Sequence, residues 1–334
     1  MPCPVTHPHP WRRGRTPPPD HNPRRETMAE RIHRHTRGVY IIAATPFTDQ
    51  GAIDHESLRR LVDFYIGHGV SGLTILGMMG EANKMTGDER RSVIDTVLER
   101  TGDLPVVVGV SDAGLGNLAD LAHYAMDEGA AGVMVAPAAG PAREDRIETY
   151  FHAVCEALGR EVPICFQDFP LATGLPVSPG LIRRLSQERA QIVMLKHEDW
   201  PGLTKITQLR RHEEAPNVAR LSILTGNGGL YLPQELQRGA DGAMTGFAYP
   251  EALVQTVALH HAGKVDEAED LFDRYIPILR HEQQPGFGLA VRKYVLMKRG
   301  AIASAATRAP GPKLSPVDAA EVDRLMARLE VRLS

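Results

Sequence analysis

The sequence predicts an α/β chain, a (β/α)8 TIM barrel followed by a C-terminal helical extension. Three observations carry that expectation. Eight short apolar runs recur along the chain, and helix-period segments separate them. The runs are continuously apolar rather than alternating in polarity, as parallel strands buried on both faces must be. A doubly wound open sheet is the competing arrangement. It is weakened because no G-x-G-x-x-G follows the first strand.

The strand runs are 38–47 (GVYIIAATPF), 72–77 (GLTILG), 105–111 (PVVVGVS), 132–137 (GVMVAP), 162–170 (VPICFQDFP), 191–198 (QIVMLKHE), 221–226 (LSILTG) and 241–246 (DGAMTG). Helix-period segments lie at 54–68, 86–100, 118–128, 146–158 and 250–261. Thr86 followed by Glu89 reads as a capping box. Gly69, Gly129 and Gly239 stand just past helix ends, where a left-handed residue is needed. Further helices are expected at 265–283, 288–299 and 316–333, with a linker at 308–316. The resulting organisation is a disordered tail over 1–36, a barrel over 37–264 and a helical extension over 265–334. The first 36 residues are rich in Pro, Arg and His and have no apolar period, so they cannot bury enough surface to offset their ordering entropy. Either Met28 is the true start or the tail is genuine.

Composition excludes several classes of function. A net charge of −3 and 5% aromatic residues give no basic or stacking surface for nucleic acid and no attraction to an anionic bilayer. The longest apolar stretches, such as 38–44 and 192–195, fall far short of the roughly 20 residues that span a membrane. Three cysteines with no C-x-x-C spacing argue against a disulfide framework and for a reducing, cytoplasmic setting. No H-x-x-x-H or paired Asp/His spacing points to a metal.

One lysine stands out. The chain holds seven lysines against 31 arginines, and only Lys196 sits inside an apolar strand run. At the C-terminal end of a barrel strand it points into the lumen, where burial favours its neutral form. A neutral amine attacks a ketone to form an imine. The competing reading is an ion pair with Glu198 or Asp199. His197, the intervening residue, should face the helix layer.

From about Gly38 to Gly300 the chain resembles the dihydrodipicolinate synthase/N-acetylneuraminate lyase family of Schiff-base lyases. The resemblance rests on A-A-T-P-F at the end of the first strand and G-M-M-G-E after the second. It rests also on F-Q-D-F-P on the fifth, L-K-H-E on the sixth, G-A-D-G-A-M-T-G on the eighth and the helical extension. It implies an imine on Lys196, no cofactor beyond that imine, a small 2-oxo acid as substrate and a homo-oligomer, tetramer or dimer. It also implies that the turn Gly77, Met78, Met79, Gly80 receives the substrate carboxylate, through N–H groups that glycines leave free to converge, with Thr45 nearby. Glu81 is expected to order this turn rather than to do chemistry.

The chain departs from the synthase pattern at several positions. Met78 and Met79 stand where that pattern has threonines, Gln167 where it has a tyrosine, Ala138 and Ala139 near its second tyrosines, and Ala172 at its arginine. Glutamine hydrogen-bonds but cannot act as an acid or base at neutral pH. The tyrosine–threonine relay is therefore missing. The Q-D-x-P, G-A-M-T-G-x-x-Y-P and G-x-I-A-S segments resemble a branch of 2-keto-3-deoxy-L-arabonate dehydratases and related sugar-acid enzymes.

The expected function is thus a Schiff-base lyase, dehydratase or pyruvate-type aldolase, acting on a 2-oxo acid. Lys196 is the nucleophile, Glu198 a proton carrier on the same side of the strand, and Gln167 an orienting group. Asn227 either contacts distal hydroxyls or serves as a left-handed turn residue. Met78, Met79 and Met244 read as an apolar wall. A synthase-like protein without its relay and a non-catalytic 2-oxo-acid-binding barrel are the alternatives. A phosphosugar barrel would need cations in the loops after strands seven and eight, and neither loop has one.

Overall fold

A computed structural model describes residues 29–137, 143–200 and 202–334. Eight parallel strands close into a barrel in sequence order, with the first paired to the last. The order is β1 (Gly38–Ile42), α1 (His55–Gly67), β2 (Gly72–Ile75), α2 (Gly87–Thr101), β3 (Val106–Gly109), α3 (Leu115–Asp127), β4 (Gly132–Val135) and α4 (Glu144–Leu158). Then follow β5 (Ile164–Asp168), α5 (Pro170–Thr173), α6 (Pro179–Glu188), β6 (Ile192–His197), α7 (Leu203–Glu213), β7 (Ser222–Thr225), α8 (Leu232–Gln237), β8 (Gly242–Ala243) and α9 (Pro250–His261). The extension is α10 (Val265–Glu282), α11 (Gly288–Lys298) and α12 (Pro316–Leu333). All eight expected runs are strands and every expected helix is present. The capping box forms between Thr86 and Glu89, and Gly69, Gly129 and Gly239 all take positive φ.

Because strand side chains alternate, the apolar residues split into two sets. The larger packs strands against the helix layer. The smaller fills the lumen and includes Ile42, Val107, Met134, Cys165, Met194, Leu224 and Met244. Register matters most on β6. A shift there pairs Ile164 with Ile192 but Cys165 with Met194, leaving Val193 as an extra residue. Such a bulge re-aims the rest of a strand. Beyond it Met194 joins the lumen set and Leu195 the outer set.

The described residues begin inside the segment expected as a tail. Residues 29–36 are ordered against the floor of the barrel: Ile32 is 2% exposed and joins the lumen cluster. Its N–H donates to Ala131 O, and Arg34 donates to Ser186 O and Arg220 O. One apolar residue among polar ones is invisible to a periodicity argument, yet it closes the barrel. Residues 1–28, and Ala138 and Ala139, lie outside the described residues. Among the described residues no helix is long and apolar enough to cross a membrane.

Candidate active site

Lys196 is 3% exposed at the C-terminal end of β6. Its Nζ lies 3.0 Å from Glu198 Oε2. Gln167 faces Lys196 across the β5–β6 ladder, and its Nε2 donates to the same Glu198 oxygen at 2.7 Å. The three polar residues expected to act together therefore meet at one carboxylate oxygen. Asp199, the other candidate partner, is instead bound by Lys205.

The loop after β7 makes room for that carboxylate. A Cβ on Gly226 would collide with Glu198 Cγ and Oε1, so only glycine fits there. Asn227 follows at φ 51° and donates from Nδ2 to Glu198 O at 3.1 Å. Asn227 is thus a left-handed turn residue that also pins the backbone of Glu198. Nothing in the TGNGG sequence alone marks the steric role of Gly226, because the carboxylate it makes room for comes from the end of the neighbouring strand β6.

Methionines and a cysteine line the lumen beside the lysine. Met244 is fully buried, and Cys165 Sγ lies 3.8 Å from its sulfur. Burial pushes the Cys165 thiol up to about 12, with the charge of Lys196 only partly opposing, so it is a neutral wall atom at physiological pH. Met79 packs on the same cluster. Met78 does not, since its side chain is 49% exposed, and it drops out of the apolar wall.

The segment after β2 opens with a 3-10 turn, Met78–Gly80, and a second follows at Ala82–Lys84. Gly80 N–H closes on Gly77 O and Glu81 N–H on Met78 O. That leaves the Met78 and Met79 N–H groups, the first two of the turn, without an intrachain acceptor among the described residues, as the start of any helical turn requires. Thr45 Oγ1 donates to Gly80 O at 2.7 Å and fixes the turn from the β1 side. Leu76 and Glu81 flank the turn, both at φ 56°. A left-handed backbone costs a non-glycine residue about 1–2 kcal/mol, so neighbours must hold both in place. Gly109 makes Leu76 possible, because a Cβ there would strike the Leu76 carbonyl.

Glu81 is held by cations that sequence reasoning missed. It is 1% exposed and accepts from Lys293 Nζ at 2.6 Å, Lys84 Nζ at 2.8 Å and Arg308 N at 3.0 Å. Lys293 is fully buried, and burial lowers its pKa against the opposing pull of Glu81. Behind β6, on the helix side, His197 faces outward as expected. Its Nδ1 lies 3.7 Å from Asp168 and its Nε2 3.1 Å from Gly202 O.

One group of metal-ligand type occurs among the described residues, Glu148, His152 and Glu188, on the surface of α4 and α6. Its members already meet arginines: Arg184 donates to Glu148, and Arg189 Nε donates to His152 Nδ1.

Residues 35–331 match the dihydrodipicolinate synthetase family. The chain is 32% identical over 299 residues to L-2-keto-3-deoxyarabonate dehydratase of Azospirillum brasilense, covering 88% of this chain and 94% of that protein. It is 29% identical over 248 residues to a 4-hydroxy-tetrahydrodipicolinate synthase of Methanococcus maripaludis, covering 73% of this chain and 82% of the relative. A crystal structure described as dihydrodipicolinate synthase from Rhodopseudomonas palustris superposes with a TM-score of 0.88 at 46% identity, covering 90% of this chain and all of that one, 100%. With a closed eight-stranded barrel and a match running through almost all of the described residues, this chain belongs to the dihydrodipicolinate synthetase family and is a lyase.

Proposed function

We propose that this lyase forms a Schiff base between Lys196 and a 2-oxo acid and removes water from a 2-keto-3-deoxy sugar acid. One observation carries the reading. The lumen lysine shares a single carboxylate oxygen with Gln167, the residue that the family resemblance sets at the synthases' tyrosine. The A. brasilense relative is a dehydratase by name, which favours loss of water over condensation. The imine itself is the electron sink, so the reaction needs no cofactor. We further read the enzyme as a cytoplasmic homo-oligomer, tetramer or dimer, in line with its resemblance to the family.

The chemistry follows from the geometry. The neutral Lys196 amine adds to the C2 ketone, and water leaves to give the protonated imine. Glu198, 3.0 Å from the lysine Nζ, is the base that takes up a proton at this site. Loss of the C3 proton to the carboxylate gives an enamine, and the same proton returns to the C4 hydroxyl as it departs as water. Proton shifts from C5 and from its hydroxyl onto C3 and C4, followed by addition of water to the imine, then release the semialdehyde and restore the amine. Gln167, unable to titrate, keeps the carboxylate oriented by donating to it. The substrate carboxylate sits on the free N–H groups of Met78 and Met79.

Borohydride trapping tests this. Wild-type protein mixed with pyruvate, or with 2-keto-3-deoxy-L-arabonate, should gain one reduced adduct by intact mass, and Lys196→Ala should gain none. Formation of 2-oxoglutarate semialdehyde marks dehydration, whereas formation of pyruvate marks aldol cleavage. Absence of any adduct in wild type would leave Lys196 as a structural ion-pair residue.

A further inference from the structure

The turn after β2 is braced from behind by a part of the chain more than 200 residues away. Lys293, on α11, donates to Glu81 Oε1 and to Ala306 O. Lys84 donates to Glu81 Oε2 and to Arg308 O. The Arg308 N–H completes the hold on Oε2. The same segment reaches the loop after β1. Arg308 donates to Gly51 O and Ser304 Oγ to Asp49, and the Arg308 and Lys293 cations lie 4.6 and 4.5 Å from the Phe47 ring centre. Lys293 and Glu81 are 0% and 1% exposed, so neither can exchange its partner for water.

This brace ends on the residue whose own N–H closes the 3-10 turn. Glu81 N–H donates to Met78 O, so the direction of the Met78 and Met79 N–H groups depends on Glu81 keeping its left-handed backbone. If the carboxylate side chain were released, that backbone could relax and the turn would open.

We propose that Glu81 and Lys293 are positioning residues for the lyase reaction. Through them the C-terminal segment 303–308 sets the aim of the two N–H groups that grip the substrate carboxylate. The proposal rests on the reading that Lys196 takes the ketone and this turn takes the acid.

The test compares borohydride trapping of pyruvate with that of acetone, which offers the same ketone with a methyl group in place of the carboxylate. In Lys293→Met and Glu81→Gln the pyruvate-to-acetone ratio of trapping rates should fall about tenfold or more, while the acetone rate holds within about threefold. In turnover the loss should appear in KM, with kcat within about threefold. Lys84→Met, which removes a half-buried donor, should move the ratio in the same direction by about threefold. Circular dichroism confirms that each variant is folded. An unchanged ratio in folded Lys293→Met and Glu81→Gln overturns the proposal, and if those two fail to fold, an unchanged ratio in Lys84→Met does so. A wild type that traps neither ketone removes the Lys196 reading itself. A wild type that traps acetone as fast as pyruvate keeps Lys196 and removes the turn.

Discussion

Three lysines of this chain are almost completely buried, and they are not alike. Lys205 lies on the helix side of β6 and donates to both Asp168 and Asp199. Lys293 donates to Glu81 and Ala306 O and faces the Phe47 ring. Lys196, inside the barrel, has one carboxylate, and Gln167 shares that oxygen. An ammonium has three protons to place. The two outer lysines place theirs on fixed acceptors, two oxygens each. The lumen lysine lies beside a cluster of methionine, cysteine and aliphatic side chains and has a single carboxylate oxygen for its protons. What separates the proposed nucleophile from the two outer lysines is therefore the number of acceptors around Nζ, and not burial.

The contrast breaks most sharply at Glu198. Glu198→Gln keeps the shape of the side chain but not its basicity, and turnover should drop by about 10²–10⁴, the usual contribution of a positioned acid–base group. Pyruvate should still be trapped on Lys196. Turnover within tenfold of wild type would assign proton transfer to another group. The outer pair gives the opposite phenotype. Lys205→Met leaves Asp168, 0% exposed, without its cation, and should cost about 3–5 kcal/mol in urea unfolding. Trapping per folded molecule should be unchanged. Unaltered stability would mean that Lys205 compensates no buried charge.

A smaller effect sharpens the picture behind the strands. Burial pushes Glu235 from 4.5 up to about 7, against a hydrogen bond from Thr225 and the nearby His197. A carboxyl whose pKa is raised by folding favours the folded state below its unfolded pKa, and that advantage is lost as pH rises through the folded value. The wild type should therefore lose up to about 3 kcal/mol relative to Glu235→Gln between pH 4.5 and a little above 7. Urea midpoints of both proteins at pH 5 and pH 8.5 measure this. A pH-independent difference between them would show that Glu235 titrates normally.

The barrel was legible because strands buried on both faces write unbroken apolar runs, and because glycines and a capping box punctuate the helices between them. Lys196 was legible for the same reason, as a cation inside such a run. Lys293 was not. Its helix buries Ala290, Val291, Arg292, Lys293, Val295 and Leu296 almost in succession, so no polar face marks which cations point inward. Lys205 was hidden likewise, on a helix whose charges otherwise read as solvated. The bulge at Val193 has no sequence mark either, although it decides which face of β6 Lys196 occupies. Gly226 and Ile32 show a further limit. Each acts by filling or vacating a volume set by a distant element, which only the folded chain defines.

Ile32 has a kinetic consequence. It seals the floor, with Gly132 opposite leaving no space for even a Cβ between them, so the described residues leave no passage past Ile32 at that end of the lumen. On the proposed reading, product formed at Lys196 leaves by the opposite end, through which the next substrate arrives. Product and substrate therefore exclude one another from the lysine, and product inhibition should be competitive.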